Sequence, residues 1–110
     1  LYPSNSTLDV LIGGTASTSA KFAFLNVNSG TPTASLSATG GNSTYLTATG
    51  ILSTENRQTL TLGGTNTGNV AIAPAGSTAM TIQQGGNVGI GSVNPGQTLD
   101  VTGTGRFSST

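Results

Sequence analysis

The chain has 110 residues, with three Lys/Arg balancing three Asp/Glu and no His, Cys or Trp. Only 5% of residues are charged, where a soluble domain carries roughly 25%, while 13 Ser and 20 Thr supply a hydroxyl surface. These numbers exclude a basic nucleic-acid surface, a disulfide framework and any metal or nucleophile–base site built on His or Cys. Nor does any apolar run approach the roughly 20 residues that a membrane-spanning helix needs.

Low charge with abundant Gly and Ser is also compatible with disorder, but Thr, Val and Ile are plentiful and the apolar residues are regularly spaced, which favours order. The spacing is two. In chain order, Leu8, Val10 and Ile12 alternate with Thr7, Asp9 and Leu11, and Phe22 and Phe24 alternate with Lys21, Ala23 and Leu25. Leu36/Ala38 and Leu46/Ala48 come next, then Leu60/Leu62, Val70/Ile72, Met80/Ile82, Val88/Ile90 and Leu99/Val101. Such short runs with Thr on the other side predict half-buried strands. Between them lie Gly13-Gly14, Asn28-Ser29-Gly30, Gly40-Gly41-Asn42, Gly63-Gly64, Gly85-Gly86-Asn87 and Asn94-Pro95-Gly96, which supply the positive φ that tight turns require. The expectation is an all-β chain of nine or ten short strands.

Internal repeats reinforce it. Leu36-Ser37-Ala38-Thr39-Gly40 returns as Leu46-Thr47-Ala48-Thr49-Gly50, and Gly68-Asn69-Val70-Ala71-Ile72 as Gly86-Asn87-Val88-Gly89-Ile90. Thr7-Leu8-Asp9-Val10 recurs as Thr98-Leu99-Asp100-Val101, 91 residues on, which suggests a larger unit repeated head to tail. Two or three apolar residues per strand make a stripe too thin for a self-contained sandwich. An elongated trimeric β-fibre of the β-prism or triple β-helix kind would pool three stripes in one axial core. A single-chain β-solenoid is the alternative. The assembly core is then expected at Leu8, Val10, Ile12, Phe22, Phe24, Leu60, Leu62, Val70, Ile72, Met80, Ile82, Val88, Ile90, Leu99 and Val101.

Titratable groups are too few for catalysis, so no catalytic, cofactor or metal residues are expected. Asp9 and Asp100, at equivalent repeat positions, are the one carboxylate pair to weigh as a glycosidase site, against solvated strand carboxylates. Glu55 and Arg57 flank Asn56 in a polar cluster that reads as a turn or a partner-contacting loop. Lys21 with an Asn and Glu55 has the makings of an isopeptide bond, and Asn5-Ser6-Thr7 and Asn42-Ser43-Thr44 have the form of glycosylation sequons. Gly89-Ile90-Gly91 lacks the helix start of a phosphate loop. Phe22 and Phe24 read as strand core rather than a sugar platform, leaving Tyr2 and Tyr45 as the exposed aromatics.

Gly86-Asn87-Val88-Gly89-Ile90-Gly91-Ser92-Val93-Asn94-Pro95, followed by Leu99-Asp100-Val101-Thr102-Gly103 and Arg106, resembles the NVGIGT-x-x-P…LDV-x-G-x-x-R signature of bacteriophage tail fibres and tailspikes and of large repetitive bacterial surface proteins. Gln58-Thr59-Leu60-Thr61-Leu62-Gly63-Gly64-Thr65 is similar to the Thr/Gly-rich phrases of the latter. The resemblance divides the chain into a Thr/Gly-rich repeat region, 1–85, and a motif segment, 86–110. It implies a homotrimeric or filamentous structural stem, outside the cell or on a virion, whose partners are copies of itself; a fibre module that binds a host or cell-surface glycan or receptor is the alternative. Within the motif, Val88 and Ile90 should face one way and Gly89 should admit another backbone on the opposite face. Asp100 should point outward, where Arg106 can pair with it.

Overall fold

The computed structural model describes residues 9–109; Leu8, Tyr2 and the sequon Asn5-Ser6-Thr7 lie outside the described residues. Those described are all-β, with single 3-10 turns at Thr39–Gly41 and Pro74–Gly76. They form two compact units, divided between Leu60 and Thr61, each containing one sheet.

The first unit is a five-stranded antiparallel meander, β1 (Val10–Ile12), β2 (Phe22–Leu25), β3 (Thr33–Ser37), β4 (Ser43–Thr47) and β5 (Leu52–Thr54), lying side by side in chain order. Its longest connection, Gly13 to Lys21, folds back on itself. Ala20 N–H donates to the Ala16 carbonyl at 2.9 Å, and Lys21 N–H to the Ile12 carbonyl at 2.9 Å. Gly14 is required there, because a Cβ would lie 2.5 Å from the Ser19 carbonyl carbon and oxygen. Ala20 in this loop and Ala23 in β2 are buried, 1% and 2% exposed.

The second unit holds β6 (Val70–Ile72), β7 (Met80–Ile82), β8 (Val88–Ile90) and β9 (Leu99–Val101), again in chain order. β6, β7 and β8 pair antiparallel, whereas β8 and β9 run parallel. Parallel neighbours usually need a crossover of a dozen residues or more. Here Gly91–Thr98, eight residues, suffices.

Three expectations change. Leu60 and Leu62 lie in no strand; the chain leaves β5 through Asn56 and Arg57 at φ 54° and 57°, and a strand needs a hydrogen-bonded neighbour as well as an alternating sequence. Ala38 and Ala48 fall just past β3 and β4, where Ala38 N–H closes a turn onto the Asn42 carbonyl and Thr47 N–H one onto the Ile51 carbonyl. Finally, six antiparallel pairings and one parallel one are a meander order, not the stacked parallel rungs of a single-chain β-solenoid.

Candidate assembly interface

Register decides which side chains share a face, because residues directly opposite one another point the same way. In the second unit Val70, Ile82, Val88 and Leu99 form one row and Ile72, Met80, Ile90 and Val101 another on the same face. All eight positions are apolar. The unit leaves them largely uncovered: Ile72, Ile82, Ile90, Leu99 and Val101 are all exposed, Leu99 the most at 57%. Fully burying a large aliphatic side chain stabilises by about 1.5–3 kcal/mol, so covering this face would contribute on the order of several kcal/mol per chain.

The opposite face carries Ala71, Thr81, Gly89 and Asp100, and the short crossover from β8 to β9 folds over it. The Ser92 carbonyl oxygen lies where a Cβ on Gly89 would be, at 2.2 Å. The Asn87 amide donates to the Pro95 carbonyl at 3.2 Å. Asp100 Oδ2 accepts from Ser92 Oγ at 3.3 Å and from Gly96 N–H at 3.1 Å. Thr81, Gly89 and Pro95 are buried as a result. Asn87, Gly89, Pro95 and Asp100 are therefore the parts of a compact turn, and Asp100 is engaged by its own crossover where an outward pairing with Arg106 was expected. Thr81 Oγ1 is sealed underneath with no hydrogen-bond partner among the described residues.

The first unit is built alike. Val10, Phe24, Ala34, Leu46 and Leu52 form one row, and Ile12, Phe22, Leu36, Thr44 and Thr54 the next. Phe22 and Phe24 meet edge to face, with ring centroids 5.1 Å apart, yet Phe24 is exposed and Leu36 is 60% exposed. The strand positions expected to form the core thus lie on one face of each sheet and are only partly covered in the single chain.

On the other face Leu11, Ala23, Ser35, Tyr45 and Ser53 form the central row. A cavity of about 670 Å³ opens over it, lined by Lys21, Ser35, Ser37, Asn42, Tyr45 and Glu55 among others. Tyr45, expected to be exposed, is half-buried there. Lys21 and Glu55, weighed with an unspecified Asn as an isopeptide set, border the same cavity, and so does Asn42. The Glu55–Arg57 cluster is a docked turn, since Asn56 Nδ2 donates to the Gly41 carbonyl at 2.9 Å. Asp9 and Asp100 belong to different units, and each serves a local backbone contact. Asp9 Oδ1 accepts from Val27 N–H at 3.2 Å.

Among the described residues no group of three or more His, Cys, Asp or Glu is placed to hold a metal ion, and no helix is long and apolar enough to cross a membrane. Comparison of the chain with protein-family models, with curated proteins and with solved structures returned no match.

Proposed function

We propose that this chain is a structural segment of an extracellular or virion-surface fibre, in which three copies press their apolar sheet faces together around a shared axis. The observation that carries this reading is the second sheet, apolar at eight of eight positions on one face and roofed by its own chain on the other. A sheet solvated on both sides would alternate its polarity differently, and an apolar face of this extent calls for a cover. The abundant Ser and Thr keep such a fibre wetted with little charge. The work of the segment is mechanical: it holds whatever the fibre carries at a distance, with no catalytic step. Sedimentation equilibrium or light scattering tests it. A particle of three times 10.8 kDa is expected, and a stable folded monomer at micromolar concentration would overturn it.

A glycan-binding module is the second reading, favoured by the hydroxyl- and amide-lined cavity with Tyr45 at its side. Aromatic and hydroxyl groups in one hollow suit a sugar ring. Chemical-shift changes confined to Ser35, Ser43 and Tyr45 on adding soluble oligosaccharides, and lost in Tyr45→Ala, would move the assignment to this class.

A further inference from the structure

The second Thr-Leu-Asp-Val supplies β9 at the outer edge of its sheet, and the Val of the first copy, Val10, opens β1 at the outer edge of the other; the two strands use opposite edges. In β9, the Thr98 carbonyl accepts from Val88 N–H at 2.8 Å and Thr102 N–H donates to the Ile90 carbonyl at 2.9 Å. Backbone groups alternate sides along a strand, so Asp100 also bonds β8, while the N–H and C=O groups of Leu99 and Val101 point to the open edge. In β1 the Ile12 carbonyl accepts from Lys21 N–H on the β2 side. By the same alternation Val10 bonds β2, and Leu11 and Asp9 point to the open edge. Val10 is the repeat equivalent of Val101, and Asp9 of Asp100. The edge left open in β9 is thus the one that β1 uses, and the reverse holds too.

We infer that where this 91-residue unit follows itself in a longer chain, one Leu-Asp-Val strand closes the second sheet of one repeat and opens the first sheet of the next. The merged sheet runs β6, β7, β8, the shared strand, then β2 to β5 of the following copy. β8 lies parallel to that strand on its Asp side, and β2 antiparallel on its Val side. The side chains agree as well. In both sheets the Val of the motif lies on the apolar face, and a strand's chirality ties its face to its edges, so the two apolar faces become continuous. The single Asp suffices for both turns. Asp100 uses Oδ2 for Ser92 and Gly96, Asp9 uses Oδ1 for Val27, and a carboxylate can accept all three bonds. Sharing also removes two open sheet edges per repeat. The inference stands whether one chain or three make the fibre.

Two tandem chains test it. In the first, residues 7–110 follow directly on Gln97, leaving one Thr-Leu-Asp-Val between the sheets. In the second, residues 7–110 follow Thr110, so each sheet keeps its own strand. Amide hydrogen exchange is read at the junction Val, Val101 in the spaced chain, with the preceding Asp amide as the marker that β8 is paired. In the shared chain the Val amide should exchange at least about tenfold more slowly than that of Val101 in the single chain, as expected for a newly paired edge amide. In the spaced chain the Val101 amide should not slow. Equal exchange in the two tandems would overturn the inference, and so would a shared chain whose second copy fails to fold while the spaced one folds. Failure of trimerisation would change the particle mass of both tandems alike and leave their difference intact, so the two proposals are judged separately.

Discussion

Gly89→Ala isolates the turn that roofs the second sheet. The added Cβ would sit 2.2 Å from the Ser92 carbonyl oxygen, 3.1 Å from its carbon and 3.2 Å from its Cβ. Relief of the first contact requires backbone to move by about 1 Å, because carbon and oxygen prefer separations well above 3 Å. The mobile partner is main chain, tied down by Asp100, so no side-chain rotation can absorb the change. Overpacking of this kind costs about 1–3 kcal/mol and sometimes more, and here the loosened crossover also weakens the bonds from Ser92 and Gly96 to Asp100. A loss of about 3 kcal/mol is expected, a large share of what a unit of this size possesses at roughly 0.05–0.15 kcal/mol per residue. Gly96→Ala is the matched control, because nothing lies within 4 Å of its added Cβ and its φ is not left-handed. It should be neutral or gain about 0.5 kcal/mol through the unfolded state. Met80 is the sole methionine and lies in β7, so its labelled methyl resonance tracks unfolding of this unit alone in a urea titration. If Gly89→Ala unfolds at the same urea concentration as Gly96→Ala, the close approach of Ser92 is not what the glycine serves, and the reading of the motif as a packed turn fails.

Thr81→Val replaces a sealed, unpartnered hydroxyl with a methyl of the same shape, and should raise stability by about 1 kcal/mol or more in the same titration. Ile90→Asp and Leu99→Asp place a carboxylate on the apolar face and should abolish assembly, whereas Thr98→Asp and Thr102→Asp, on the other side of β9, should assemble; the yield of trimer by size-exclusion chromatography decides. Melting temperature should differ by less than about 10 °C between pH 5 and pH 8 and between low and high salt, because six charges and no His leave little to titrate or screen.

Period-two patterning makes the faces legible, since strand side chains alternate whatever the neighbours are. Val88, Ile90, Leu99 and Val101 can be placed on one side from their spacing alone, and Gly89 on the other with a backbone against it. Pairing is harder to read. Leu60 and Leu62 carry the same alternation as Leu99 and Val101, yet only the latter have a partner strand, because hydrogen bonding depends on which segments the turns bring together. The left-handed Asn56 and Arg57 divert the chain after β5, and neither residue type announces that conformation as a glycine would. The reach of Asp100 back to Gly96 is hidden for a related reason. A carboxylate on a strand reads as solvated until the crossover is known to fold over it. Tyr45 is a parallel case, its neighbours Ser35 and Ser53 lying beyond turns and becoming adjacent only across the sheet.

The meander order has a kinetic consequence. Among the described residues no pair in either sheet is further apart in sequence than Val10 and Phe24, Phe22 and Leu36, or Thr33 and Thr47, each separated by 14 positions. β-proteins usually fold slowly because their contacts span long loops, and the rate rises as contact order falls. Here every strand finds its neighbour within the few dozen residues that have just emerged, even across the parallel step at β8 and β9. A chain of many such units can therefore form its sheets vectorially, one turn after another, as it leaves a ribosome or a secretion pore. In the proposed assembly, only the meeting of apolar faces need wait for the other copies.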